Sequence, residues 1–135
     1  MAAPIKIMIV DDELQMTKLL KLIVEENLDC VVETFNDPQL ALERLCEVRF
    51  DVLSLDFRMP GMNGIELIKN LQTVPNGVNL DIPVLMFTGF REEAERIHPK
   101  LIENLLFLEK PISDDRYIQN IKIAMQMGRR LQPNV

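Results

Sequence analysis

Apolar residues along this chain fall into short runs, separated by longer stretches where they recur every three or four positions. IKIMIV (residues 5–10) is apolar at nearly every position, as expected of a strand covered on both faces in a parallel sheet. In ELQMTKLLKLIVEENL (13–28), Met16, Leu20, Ile23 and Val24 stand at helical spacing. CVVETF (30–35) predicts a second strand. Asp37-Pro38 then supplies an N-cap with proline at the first helical position, opening a helix with Leu40, Ala41, Leu45 and Val48 on one side. DVLSLD (51–56) predicts the third strand and GIELIKNLQ (64–72) the third helix. Beyond the polar stretch TVPNGVNLD, PVLMFT (83–88) predicts a fourth strand and REEAERIHPKLIENL a fourth helix. LLFLEK (105–110) predicts a fifth strand, and a last helix is expected from about Asp114 through Met127.

Strict alternation of five strands with five helical segments predicts an α/β fold, an open parallel sheet with helices on both faces. Right-handed crossovers restrict the topology, and five strands suit the flavodoxin-like order 2-1-3-4-5. The 135 residues fit one domain and contain no internal repeat. In such sheets a site forms beyond the carboxyl ends of the strands, at the switch point beside the first strand.

Composition narrows the function classes. A net charge of −6 argues against direct nucleic-acid binding, because a phosphate backbone needs a basic face. Cys30 and Cys46 match no metal-ligand spacing and are expected to be buried, reduced core residues. MAAPIKIMIV lacks the long apolar stretch of a signal peptide, and no run approaches a membrane span, so a cytoplasmic protein is expected.

The strand ends carry the chemistry. The first strand ends in Asp11-Asp12, followed by Glu13, and the third ends in Asp56. The fourth ends in Thr88-Gly89 and the fifth in Lys110-Pro111. Asp11-Asp12 alone reads equally well as a plain N-cap pair. The expected strand order, however, brings all four ends onto one rim. Two carboxylates about 4 Å apart repel by roughly 4 kcal/mol at an effective dielectric of 20, so three together need a cation or a raised pKa. Oxygen ligands without His or Cys favour Mg²⁺. Lys110 and Thr88 offer the charge and hydrogen bond that a transferring phosphoryl group needs. With no histidine base and no Ser or Cys nucleophile at the rim, Asp56 is the best-placed nucleophile.

IVDDE, the strand ending in Asp56 followed by MPGMNG, FTG and FLEKP together closely resemble the receiver domain of two-component response regulators, of which the CheY-like proteins are the single-domain form. The resemblance covers about residues 5–128, so residues 1–128 are expected to form the receiver and 129–135 a tail or the start of a linker. It implies that Asp56 accepts phosphate from a phosphohistidine on a sensor histidine kinase or histidine phosphotransfer protein. Asp12, Asp56 and the backbone carbonyl of Arg58 would bind Mg²⁺, with Asp11 contributing through water. Lys110 would pair with the phosphoryl group, Thr88 would move in to bond it, and Phe107 would be the switch aromatic. The Lys110-Pro111 bond would be cis. Such a domain is a signalling switch rather than a turnover enzyme. It catalyses its own phosphorylation and slow dephosphorylation, and presents its fourth helix, fifth strand and fifth helix to an effector protein or domain. Its oligomeric state can depend on phosphorylation. Pro60, Gly61 and Gly64 would hold the turn after Asp56, with Met59 and Met62 as packing residues.

Some positions depart from the family pattern. Pro99 interrupts the fourth helical segment near Ile97, and Glu103-Asn104 stands where a Gly-Ala pair is usual. This predicts either an atypical output face or a harmless kink, with His98 a surface residue. Arg58 and Phe90 border the expected path of hydrolytic water, which predicts a long-lived phosphoryl state. Three rival readings are weaker. A haloacid-dehalogenase-type phosphatase would space its two acids as D-x-D after the first strand. A flavin or nucleotide binder would carry a Gly-, Ser- or Thr-rich loop there. A receiver-like scaffold that is never phosphorylated would have lost some of these side chains.

Overall fold

The computed structural model describes residues 4–89 and 105–131. Five strands, β1 (Ile5–Val10), β2 (Cys30–Phe35), β3 (Val52–Asp56), β4 (Val84–Thr88) and β5 (Leu105–Glu109), form one parallel sheet in the order β2-β1-β3-β4-β5. The described helices are α1 (Leu14–Asn27), α2 (Pro38–Glu47), α3 (Gly64–Gln72) and α4 (Asp114–Leu131). The helix expected between β4 and β5 lies outside the described residues, together with Phe90, His98, Pro99 and Glu103-Asn104.

Because successive strand side chains point to opposite faces, the central strands feed two cores. Ile7, Ile9, Val52, Leu85 and Phe87 pack under α1 and α4 with Leu20, Val24, Tyr117 and Ile121. Met8, Val10, Leu53, Leu55, Val84 and Met86 pack under α2 and α3 with Ala41, Leu45, Leu67 and Leu71. Every residue of β3 and β4 is buried. This explains the near-continuous apolar runs there, and leaves Ser54, Asp56 and Thr88 as polar residues in buried surroundings.

Local chemistry sets the helix boundaries. The Asp37 side chain accepts from the Gln39 N–H and Pro38 occupies the first turn of α2, as its sequence predicts. Asn63 and Glu66 form a reciprocal capping box at the start of α3. The N-cap of α1 is Glu13, whose side chain makes no capping bond.

Several expectations need correction. Leu40 is exposed, because the buried stripe of α2 runs through Pro38, Ala41 and Leu45. Cys46 is exposed on the outer side of α2 and Cys30 is half-buried at the start of the edge strand β2, so neither is a fully buried core residue; both are free thiols. Helix α4 continues past Met127 to Leu131, so the first part of the expected tail is helical. Along this extension Gly128 passes close over Pro83, where an added Cβ would lie 3.1 Å from the proline Cγ.

Candidate functional site

The rim at the carboxyl ends of β1, β3, β4 and β5 is built by the sheet order. β1 pairs with β3, β3 with β4 and β4 with β5, so Asp11, Asp56, Thr88 and Lys110 arrive from four adjacent strands. Asp56 stands opposite Phe87 in the ladder, and Thr88 opposite Glu109. Carboxylate oxygens of Asp11, Asp12 and Asp56 all lie within 4.8 Å of one another. The Lys110 ammonium is 3.0 Å from Asp56 Oδ1 and 3.8 Å from Asp11 Oδ2. Asp11, Asp56 and Thr88 are buried and Asp12 is exposed, so the cluster opens to solvent on the Asp12 side. The rim thus brings together Asp11, Asp12, Asp56, Thr88 and Lys110.

Backbone geometry holds each group in place. The Lys110 N–H donates to the Thr88 carbonyl, and the Lys110-Pro111 peptide is cis. Beyond β3, the Phe57 N–H donates to Phe87 O, and Phe57 O accepts from the Gly64 N–H. Gly61 has a positive φ of 83°, which glycine adopts without steric cost. At Gly64 an added Cβ would lie 2.6 Å from Met86 Sδ and 2.9 Å from the Asp56 carbonyl oxygen, so α3 can start this close only without a side chain. Met59 is buried in the core and Met62 packs against it. Arg58 is exposed on the same loop. Phe107 is half-buried on β5, beside the core under α2 and α3.

The electrostatics follow from crowding acids into a buried place. The Asp11 carboxyl is raised to about 6, by burial first and by the charges of Asp56 and Asp12, against the lowering pull of the Glu13 N–H and of Lys110. Burial also raises Asp56, with the hydrogen bond and charge of Lys110 restraining the rise. For Lys110, burial alone would lower the pKa, but Asp56, Asp11 and Glu13 outweigh it and hold the ammonium above its ordinary value. Three carboxylates and one ammonium leave a net demand of about two positive charges. An all-oxygen donor set of this charge fits a small hard dication such as Mg²⁺.

A family model for the response regulator receiver domain matches residues 7–122. The chain belongs to that family. The receiver is 33% identical over 131 residues to a transcriptional regulatory protein CpxR homolog of Haemophilus influenzae, covering 96% of this chain and 54% of the relative. It is 36% identical over 110 residues to the cyclic di-GMP phosphodiesterase response regulator RpfG of Xanthomonas campestris, covering 80% of this chain and 28% of the relative. The receiver thus spans about half the length, or less, of these curated relatives. Among solved structures, the CheY-like receiver domain protein of Methanospirillum hungatei superposes with a TM-score of 0.83 at 20% identity, covering 96% of this chain and all of that one. The chemotaxis protein CheY4 of Vibrio cholerae gives 0.79 at 24% identity, over 90% of this chain and 99% of that one. At these identities the two structures speak to the fold of the receiver.

Two side-chain pairings around the site, Asn36 with Thr17 and Tyr117 with Ser54, escape a reading of the sequence. Asn36, at the end of β2, donates from Nδ2 to Asp11 O at 2.8 Å and to Thr17 Oγ1 at 3.1 Å. Nothing but a polar residue after a strand signals it. Ser54 accepts a buried 2.8 Å hydrogen bond from Tyr117 Oη. Here a signal exists, since a hydroxyl inside VLSLD requires a partner once both faces of the strand are covered.

Proposed function

We infer that this receiver accepts a phosphoryl group on Asp56 in a Mg²⁺-dependent reaction with a phosphohistidine, presented by a sensor histidine kinase or a phosphotransfer protein. The observation that carries the reading is Asp56 Oδ1 lying 3.0 Å from the Lys110 ammonium, with the Asp11 and Asp12 carboxylates beside it. Asp12, Asp56 and the Arg58 carbonyl are the proposed ligands of the ion, with Asp11 contributing through water. When bound, the ion neutralises the acids and the equatorial phosphoryl oxygens.

An Asp56 carboxylate oxygen attacks phosphorus in line, forming the O–P bond as the P–N bond to the donor imidazole breaks. The imidazole leaves as the neutral ring once it holds a proton. Lys110 moves its charge from the carboxylate to the transferred group, whose negative charge it then balances. Thr88, buried at the end of β4, supplies a hydroxyl to a phosphoryl oxygen, and Phe107 on β5 turns inward as Thr88 moves. The changed surface, around the β4–β5 connection, β5 and α4, then meets an effector protein or domain. Arg58, exposed at the rim, slows the approach of hydrolytic water.

The proposed unit is residues 1–128, with 129–135 as a tail or the start of a linker. The activity is that of a cytoplasmic switch that changes its own phosphorylation state. No described helix is long and apolar enough to cross a membrane. The test is incubation with Mg²⁺ and acetyl phosphate, followed by intact mass, beside Asp56→Ala. A gain of one phosphoryl group that needs Mg²⁺ and is absent from the variant is expected. No gain and no Mg²⁺ binding would favour a scaffold that is never phosphorylated.

A further inference from the structure

Both polar groups of the Asp11 backbone are taken up by two consecutive residues of a neighbouring element. The Asp11 N–H donates to Phe35 O at 3.1 Å, and Asp11 O accepts from Asn36 Nδ2 at 2.8 Å. The same amide nitrogen also reaches Thr17 Oγ1 at 3.1 Å, in the first turns of α1. Thr17 is wholly buried and donates its own hydroxyl to Leu14 O, so it is a fixed anchor. One side chain, 25 residues distant in sequence from Asp11, therefore ties the start of the acidic turn to the helix that follows it.

The Asp11 carbonyl belongs to the peptide plane joining Asp11 to Asp12, so holding that oxygen sets the direction in which Asp12 leaves the turn. The Asp11 carboxylate is aimed separately, by the Glu13 N–H at 2.9 Å. Two adjacent acids that repel each other would otherwise relax by rotating this peptide apart. We propose that Asn36 is a positioning residue for the metal-binding turn, fixing the Asp11–Asp12 peptide plane so that both carboxylates face the Asp56 side. This rests on the Mg²⁺-dependent phosphoacceptor reading and adds to it a residue outside the four strand ends. Asn36 sits at the surface, so its replacement leaves the core intact.

The experiment is Mg²⁺ binding by calorimetry, with the metal alone as the probe, on the unaltered protein, Asn36→Ala and Asn79→Ala. Asn79 is a buried control: its side chain bonds Phe50 N, Leu45 O and Val48 O, which tie the segments before β3 and at the end of α2. Removing a partner that orients metal ligands typically weakens binding about 10- to 100-fold. Asn36→Ala is expected at the lower end, about tenfold weaker, with little change in metal-free Tm. Asn79→Ala is expected to lower Tm and leave Mg²⁺ affinity unchanged. Affinity of Asn36→Ala within about twofold of the unaltered protein overturns the assignment, and so does an equal loss in both variants, which would mark general loosening. Failure of the unaltered protein itself to bind Mg²⁺ removes the phosphoacceptor reading as well, and is seen before any substitution is compared.

Discussion

Tyr117 Oη donates a buried 2.8 Å hydrogen bond to Ser54 Oγ, two residues before Asp56 on the same face of β3. The Tyr117 ring also lies 5.3 Å from that of Phe87, the ladder partner of Asp56. Burial raises the phenol above its ordinary pKa, with the Ser54 bond pulling it back and the charge of Asp11 adding to the rise. The hydroxyl therefore stays protonated and remains a donor. α4 is thereby pinned to the two strands that carry Asp56 and Thr88.

A buried donor that loses its partner costs more than a bond never made. Tyr117→Phe and Ser54→Ala should each destabilise by about 1 to 3 kcal/mol. The double variant should lose less than the sum, by about 1 kcal/mol. Urea unfolding of the four proteins of the cycle checks this. Simple additivity would show that the two hydroxyls act independently.

Lys110 faces Asp56 at 3.0 Å and sets a positive charge in a pocket of acids. Lys110→Met keeps the stem and removes the charge. Asp56 should then titrate higher still, because both restraining contributions of Lys110 vanish. Phosphorylation by acetyl phosphate should slow at least about tenfold. Carboxyl chemical shifts followed through a pH titration, and intact mass against time, read the two effects.

Stability of the metal-free receiver should carry a pH dependence set by Asp11. Its carboxyl titrates near 3.8 in the unfolded chain and at about 6 when folded. Between those values the folded state binds more protons than the unfolded state, so stability falls as pH rises through this window. Asp56, raised for the same first reason, adds in the same direction. Calorimetric Tm should drop across the window, Asp11→Asn should flatten the drop, and saturating Mg²⁺ should reverse it at neutral pH. A wild-type slope indistinguishable from that of Asp11→Asn would contradict this.

Gly64→Ala places a methyl 2.6 Å from Met86 Sδ and 2.9 Å from the Asp56 carbonyl. The thioether can shift, but the carbonyl is backbone and the start of α3 must retreat. A cost of about 1 to 3 kcal/mol is expected, larger than the gain in helix propensity of at most about 1 kcal/mol. Denaturant midpoints measure the loss. A phosphorylation rate below that of an equally destabilised Asn79→Ala would show that the turn after Asp56 had moved.

Sequence by itself determined the five strands, their parallel order and the strand ends that carry Asp11, Asp56, Thr88 and Lys110. Those features are local or periodic: a strand buried on two faces must be apolar throughout, and an acid at its end stands out against that run. The caps at Asp37 and Asn63 belong to the same class, because a cap acts within one turn of its own helix. What only the tertiary structure decided are the pairings between residues far apart in the chain. Whether Leu40 or Cys46 is covered depends on how α2 is rotated against the sheet, and the two are in fact exposed. Tyr117 meets Ser54 across 63 residues, and Asn36 meets Asp11 across 25, only because α4 and the end of β2 fold back onto the central strands. A hydrogen bond of that kind leaves no period in the sequence; it exists where packing brings a donor to an acceptor already committed to burial.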